Sequence, residues 1–73
     1  MSEYTLNEGL EYIAVRKGGG VVLTRKKDGA DVFFQGEEAD FCEGEWSDLD
    51  PLAFDQHAGE YDHVLVVAEE VAL

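Results

Sequence analysis

The sequence predicts a small α+β domain, in which an antiparallel sheet of three or four strands is followed by two or three helices that pack on it. Three observations lead to this fold class. The segments before Gly36 alternate in period two or are rich in β-branched residues, short glycine-containing turns separate them, and after Gly36 the apolar period lengthens to about 3.6 residues. The 73 residues form a single domain, 1–73, because so short a chain cannot divide its apolar side chains between two cores.

Three strands are predicted at about 10–17, 20–26 and 31–35. In the first of them Leu10, Tyr12 and Ala14 alternate with Ile13 and Val15, so both faces of the strand carry apolar side chains. The glycines at 18–20 and the Asp28-Gly29 pair supply the two tight reversals that a meander needs. A short edge strand around residues 4–6 can add a fourth strand.

A first helix is predicted over about residues 37–49. At 100° per residue, one stripe with an arc of about 80° contains Ala39, Cys42, Trp46 and Leu49. Glu37 and Glu38 lie in the first turn, where they favour the positive end of the helix dipole. A second helix is predicted over about 51–58, with Asp50 as its N-cap, Pro51 at the first helical position and Gly59 after its end.

The C-terminal segment, about residues 62–72, is compatible with two structures. Its run HVLVVA is rich in β-branched residues and can form a fourth strand. Val64, Val67, Ala68 and Val71 fall instead at i, i+3, i+4 and i+7, and Asp62 can cap a helix before them. The spacing favours a helix.

Charge is distributed unevenly along the chain. Residues 1–27 contain three acids and five bases, whereas residues 28–73 contain fourteen acids and neither lysine nor arginine, which gives the second part a charge of −14. This charge excludes a DNA- or RNA-binding surface on the second part and argues against an anionic membrane as partner. A basic partner fits it. The single cysteine and the absence of a long apolar run indicate a cytoplasmic protein without a signal sequence or membrane span.

Few residues are spaced for chemistry. Cys42 lies on the apolar stripe and is expected to be a buried, inert thiol. His57 and His63 are six residues apart, which matches no pair of metal ligands on a helix. The three consecutive glycines open a strand and lack the following Lys-Ser/Thr of a phosphate loop. We therefore expect no enzyme activity, no metal and no cofactor.

The segment GEEADFCEGEWSDLD, residues 36–50, places seven carboxylates in fifteen residues. A helix rises 1.5 Å per residue, so these charges recur about every 3 Å, close to the 3.4 Å between phosphates along one DNA strand. The predicted partner-binding residues are Glu37, Glu38, Asp40, Phe41, Glu45, Asp48 and Asp55. Phe41 lies within the acidic side of the helix, where it can anchor a partner, or it can fold back into the core. The plain alternative is a solvated helix face with no partner.

In its length, its charge and its acidic helix after a strand meander, the chain resembles the small acidic inhibitors encoded by phages and mobile elements. These include anti-CRISPR and anti-restriction proteins that act as DNA mimics. The resemblance implies a non-catalytic protein that occupies the nucleic-acid groove of a basic protein or complex and does not bind nucleic acid itself. The class has no common fold, so the resemblance assigns no residue roles. The bases, which depart from a uniformly acidic mimic, can mark a face turned away from the partner.

A second hypothesis comes from the two apolar faces of the predicted strands. Helices can cover only one face of a sheet, so the other would remain as an exposed apolar patch. Pairing of two such faces would produce a homodimer with a structural or adaptor role.

Overall fold

The computed structural model describes residues 3–67 and has the predicted α+β architecture. Its elements in chain order are β1 (Tyr4–Glu8), β2 (Tyr12–Lys17), β3 (Gly20–Arg25), β4 (Asp31–Gln35), the helix α1 (Glu37–Ser47), the helix α2 (Pro51–Ala58) and a 3-10 helix, Gly59–Val64. The edge strand expected around residues 4–6 is confirmed as β1.

The four strands form one antiparallel sheet in the order β1-β2-β3-β4. Ala14 pairs with Leu23, which pairs in turn with Val32, so one row of side chains crosses three strands. The β2–β3 turn places Gly18 at φ 57° and Gly19 at φ 83°, in a backbone region that residues other than glycine rarely adopt. The consecutive glycines therefore form the predicted hairpin turn.

The helices cover one face of the sheet and form the core with it. That core is built around Val21 and Leu23 from β3, Trp46 from α1 and Phe54 from α2, all essentially inaccessible to solvent. The Trp46 ring packs edge-to-face on Phe54 at 5.7 Å between ring centroids. Asp50 caps α2 as predicted, because its carboxylate accepts a hydrogen bond of 2.8 Å from the backbone N–H of Ala53.

The opposite face of the sheet has no helix over it among residues 3–67. Ile13, Val15 and Val22 point to this side by strand alternation and are only partly buried, and Phe33 beside them is 47% exposed. The sheet therefore has one buried face and one open apolar face, as the sequence predicted.

The prediction for Leu10 was wrong. Leu10 was expected within the first strand, on the same side as Tyr12 and Ala14, but β2 begins only at Tyr12 and Leu10 is 89% exposed. The backbone N–H of Leu10 donates a hydrogen bond of 2.9 Å to the Asp55 carboxylate. Residues 9–11 therefore form a turn held by α2, and no strand can extend through them.

The α-helix predicted over residues 62–72 was also wrong: residues 62–64 lie in a 3-10 helix, the helix does not continue over residues 65–67, and residues 68–72 lie outside the described range. The 3-10 helix ends at Val64, and the chain is extended from Leu65. Val66 exchanges two backbone hydrogen bonds of 3.0 Å with Asp31 at the start of β4. Asp62 caps no helix; its carboxylate accepts hydrogen bonds from the Tyr12 hydroxyl and from Arg25. Leu65 and Val66 of the β-branched run thus continue in extended backbone, and Asp31 at the sheet edge supplies hydrogen bonds to Val66.

Candidate functional site

The orientation of α1 is fixed by its buried side. Ala39, Cys42 and Trp46 face the core, and the predicted Leu49 packs against it just beyond the end of the helix. The opposite side exposes most of the acids predicted to bind a partner. The exposed acids of the helix and its C-cap are Glu37, Glu38, Asp40 and Asp48, with Glu45 half-buried. Because a buried tryptophan anchors the helix, these carboxylates are held on a fixed support.

Phe41 lies on the surface of α1. Its side chain is 63% exposed, so it does not fold back into the core. It lies in the helical turn after Glu37 and Glu38 and in the turn before Glu45. A large apolar ring therefore stands exposed among carboxylates, the arrangement expected of a contact residue with a charged rim.

One flank of α1 is partly neutralised by Arg16 of β2. Its guanidinium lies 3.4 Å from Asp40 Oδ1 and 3.3 Å from Glu43 Oε1. The contact with Glu43 has the distance of an ion pair without the geometry of a hydrogen bond. The Tyr4 hydroxyl also donates a hydrogen bond of 2.7 Å to Glu43. This flank is therefore tied to the sheet, and the single positive charge of Arg16 offsets one of its two negative charges.

The other flank of α1 keeps its charge. Within residues 3–67, neither lysine nor arginine forms an ion pair with Glu37, Glu38, Glu45 or Asp48. Glu45 lies 3.2 Å from Nδ1 of His57. Burial raises the pKa of the Cys42 thiol to about 11, and the negative charges of Glu38 and Glu45 add to this effect. The negative field of this flank thus reaches into the core, and Cys42 stays a protonated, inert thiol.

The structure gives Asp55, one of the predicted partner-binding residues, an intramolecular role. Its carboxylate accepts hydrogen bonds from the backbone N–H groups of Leu10 at 2.9 Å and Tyr12 at 3.2 Å. A carboxylate with these partners serves the β1–β2 turn and lies apart from the acidic side of α1. The candidate surface therefore consists of α1 residues.

Two of the other four bases, Arg25 and Lys26, pair with acids near the sheet. Arg25 lies 2.9 Å from Asp28 and 3.0 Å from Asp62, and Lys26 lies 2.6 Å from Glu8. The guanidinium of Arg25 and the backbone N–H of Ala30 hold the pKa of Asp28 down at about 2. These pairs leave the unneutralised flank of α1 unaffected.

A cleft lies between α1 and the 3-10 helix, on the side of the unneutralised flank. Its volume is about 350 Å³, and its lining residues are Phe34, Glu37, Glu38, Phe41, Cys42 and Tyr61. Phe34 and Tyr61 pack edge-to-face at 5.4 Å. Sequence reasoning found only three of these residues as candidates for partner binding, because Phe34 and Tyr61 lie on other elements and their approach to α1 depends on the tertiary fold. We call this cavity, with these six residues, the aromatic cleft.

No protein-family model, curated protein or solved structure matches this chain.

No group of three or more His, Cys, Asp or Glu residues is placed to hold a metal ion in the described range, 3–67. In the same range, none of the helices has the length and apolar character needed to cross a membrane.

Proposed function

We propose that the protein is a non-catalytic inhibitor that binds a basic, nucleic-acid-binding surface of another protein or complex and blocks it by competition. The mode of action is DNA mimicry of the anti-CRISPR or anti-restriction type. The observation that supports this proposal is the flank of α1, on which Glu37, Glu38 and Glu45 surround an exposed Phe41 without a neutralising lysine or arginine from residues 3–67.

A fixed row of carboxylates offers a basic groove what a nucleic-acid backbone offers it. The charges steer the encounter and set its register, and Phe41 supplies apolar area that loses water on contact. Carboxylates on a packed helix lose little backbone freedom on binding, which leaves more of the interaction free energy for affinity.

The experiment is an inhibition assay on purified enzymes whose function requires a basic nucleic-acid groove. CRISPR effector complexes and restriction endonucleases are incubated with the protein, and DNA binding and cleavage are measured. We expect loss of DNA binding, relief of inhibition by excess DNA, and an affinity for the sensitive enzyme that falls steeply between 50 and 500 mM salt. A complex that is insensitive to salt and does not compete with DNA would contradict mimicry.

A charge-matched pair of variants tests which surface is responsible. The test variant is Glu37→Gln/Glu38→Gln/Asp48→Asn on α1 and its C-cap, and the control is Glu3→Gln/Glu11→Gln/Asp31→Asn, which removes three exposed acids elsewhere. Both lose three negative charges. We expect the test variant to lose inhibition by at least about tenfold and the control to keep it, because only the first set lies on the proposed surface. Equal inhibition by both variants would show that the helix is only a solvated face.

The open face of the sheet supports a second candidate function, that of a homodimeric adaptor. Phe33 and its apolar neighbours, partly exposed, would be covered by a second copy. Lys17 lies at one end of this face, and Glu8 and Asp31 lie at the other. A two-fold axis across the strands would bring the Lys17 end of one copy over the acidic end of the other and keep both α1 helices apart.

Sedimentation equilibrium over a concentration series tests the dimer. We expect self-association that strengthens with salt, since salt screens the repulsion between two chains of charge −12. Phe33→Ser should abolish it, whereas Phe41→Ser, which changes an exposed ring on α1, should not. A monomer at all concentrations and salt levels would eliminate this candidate.

A further inference from the structure

The aromatic cleft is lined by aromatic rings and by the buried thiol of Cys42. The rings of Phe34, Trp46 and Tyr61 form an edge-to-face cluster. The centroid of the Trp46 ring lies 5.6 Å from that of Tyr61 and 6.2 Å from that of Phe34. The cleft shares Phe34 and Tyr61 with this cluster, and its lining also includes the buried Cys42 and the exposed Phe41. Its volume of about 350 Å³ lies at the lower end of the range for small-ligand pockets. It has room for one long side chain.

The charges around the cleft are negative. Glu37 and Glu38 line it, and its lining contains neither lysine nor arginine from the described residues. Burial raises the pKa of the Tyr61 hydroxyl, and the charges of Glu45, Glu60 and Glu38 raise it further. Carboxylates from α1 and from the 3-10 helix thus act on the same ring. A cation is favoured here, and phosphates and other anions are excluded.

We propose that the aromatic cleft receives an arginine side chain of the basic partner, with the guanidinium lying over an aromatic ring and donating hydrogen bonds to Glu37 or Glu38. The proposal rests on the proposed function, which supplies a basic protein as the source of the arginine. It goes further in naming the residue type that is bound and the position at which it is bound.

Guanidinium chemistry fits the cleft better than an ammonium group does. The arginine guanidinium is planar and stacks on aromatic faces. It is also more weakly hydrated than the lysine ammonium, so it loses less hydration free energy on entering an apolar cleft. Its N–H groups also match carboxylate geometry, which a point charge such as lysine does not. The two lining glutamates stand at the mouth formed by the first turn of α1.

Short peptides test the cleft without any partner protein. The probes are acetyl-Gly-X-Gly-amides in which X is arginine, citrulline, lysine or trimethyllysine, and binding is followed by NMR of the aromatic rings and by Trp46 fluorescence. We expect the arginine peptide to bind about tenfold more tightly than the citrulline peptide, its neutral isostere, and to shift the Phe41 and Tyr61 resonances. Equal binding of the citrulline peptide, or tighter binding of the lysine or trimethyllysine peptide, would overturn the assignment.

Variants locate the binding. Phe41→Ala should weaken binding of the arginine peptide about tenfold, and Phe41→Tyr should retain this binding. Glu37→Gln/Glu38→Gln should also weaken it. Phe41 is mostly exposed, so Phe41→Ala should keep the fold, which circular dichroism verifies. Glu3→Gln/Glu11→Gln removes the same charge elsewhere and should bind as the unmodified protein does. Unchanged binding by Phe41→Ala would overturn the proposal.

The peptide assay and the inhibition assay can fail separately. If the arginine peptide does not bind while salt-sensitive inhibition persists, the cleft proposal is wrong and the inhibitor function stands. If the peptide binds but no DNA-binding enzyme is inhibited, the proposed function is wrong and the cleft remains a guanidinium site.

Discussion

Among single residues, Asp55 shows how one carboxylate can hold a connection together. Its carboxylate accepts hydrogen bonds from the backbone N–H groups of Leu10 and Tyr12 in the turn. Gly9 makes this approach possible, because a Cβ atom at that position would clash with the Asp55 carboxylate. The turn and the carboxylate are thus matched to each other in shape and in hydrogen bonding.

We predict that Asp55→Ala destabilises the fold by about 1–3 kcal/mol, because several turn N–H groups lose a charged acceptor. Urea denaturation followed by Trp46 fluorescence measures the change. Asp48→Ala is the matched control, since it removes an exposed carboxylate after α1 and should change stability by less than about 0.5 kcal/mol. Equal effects of the two substitutions would contradict the role given to Asp55.

The sequence predicted residue properties that depend on local spacing. Burial of Cys42 and Trp46 follows from the helical stripe and is confirmed. It left Phe41 open between surface and core, because the answer depended on where the C-terminal segment lies. The role of Asp55 could not be predicted, since its partners are 43 to 45 residues away in sequence.

Among the elements, the meander and two helices were predictable because turn glycines and apolar periods are local signals. The C-terminal segment was not, because its apolar spacing favours a helix whereas its β-branched residues favour a strand. In its described part, Val66 is held extended by a distant contact, its pairing with Asp31 across 35 positions of sequence. The aromatic cleft also depends on distant contacts, since Phe34 of β4 and Tyr61 of the 3-10 helix line it together with α1 residues.

Two glycines in different elements should respond to alanine in opposite ways. At Gly20 in β3, a Cβ atom would clash with the Phe34 carbonyl oxygen and lie 2.6 Å from the Phe33 ring, so Gly20→Ala should destabilise by about 1–3 kcal/mol. At Gly44 in α1 the same atom meets nothing within 4 Å, so Gly44→Ala should stabilise by about 0.5–1 kcal/mol through helix propensity. Thermal unfolding measures both. A neutral Gly20→Ala would contradict the packing of Phe33 over the strand.

For the whole molecule, the important feature is where the charge remains uncompensated. Composition gives the net charge of −12, but the pairing of Arg16 with Asp40, 24 residues apart, is a property of the fold. It leaves one flank of α1 partly compensated and the other without a lysine or arginine partner from residues 3–67. The proposed partner surface is therefore narrower than the acidic segment that the sequence delimits.

This charge predicts opposite effects of salt on stability and on binding. Salt screens the repulsion within a chain of charge −12. Between 20 and 500 mM NaCl the free energy of unfolding should therefore rise by on the order of 1 kcal/mol, which raises the thermal midpoint by about 4–8 °C. Over the same range, binding to a basic groove should weaken, because salt screens attraction as well.

Removing three acids from α1 and its C-cap provides the control for that prediction. Glu37→Gln/Glu38→Gln/Asp48→Asn reduces the net charge from −12 by three, to −9, and should unfold at a higher temperature than the unmodified protein in low salt. Its gain from salt should be smaller, because less repulsion remains to be screened. A midpoint that falls with salt in both proteins would show that ion pairs such as Arg25 with Asp28 outweigh self-repulsion. In that case the acids of α1 would not destabilise the fold. Their position would then give no sign that the protein has lost stability in exchange for binding a partner.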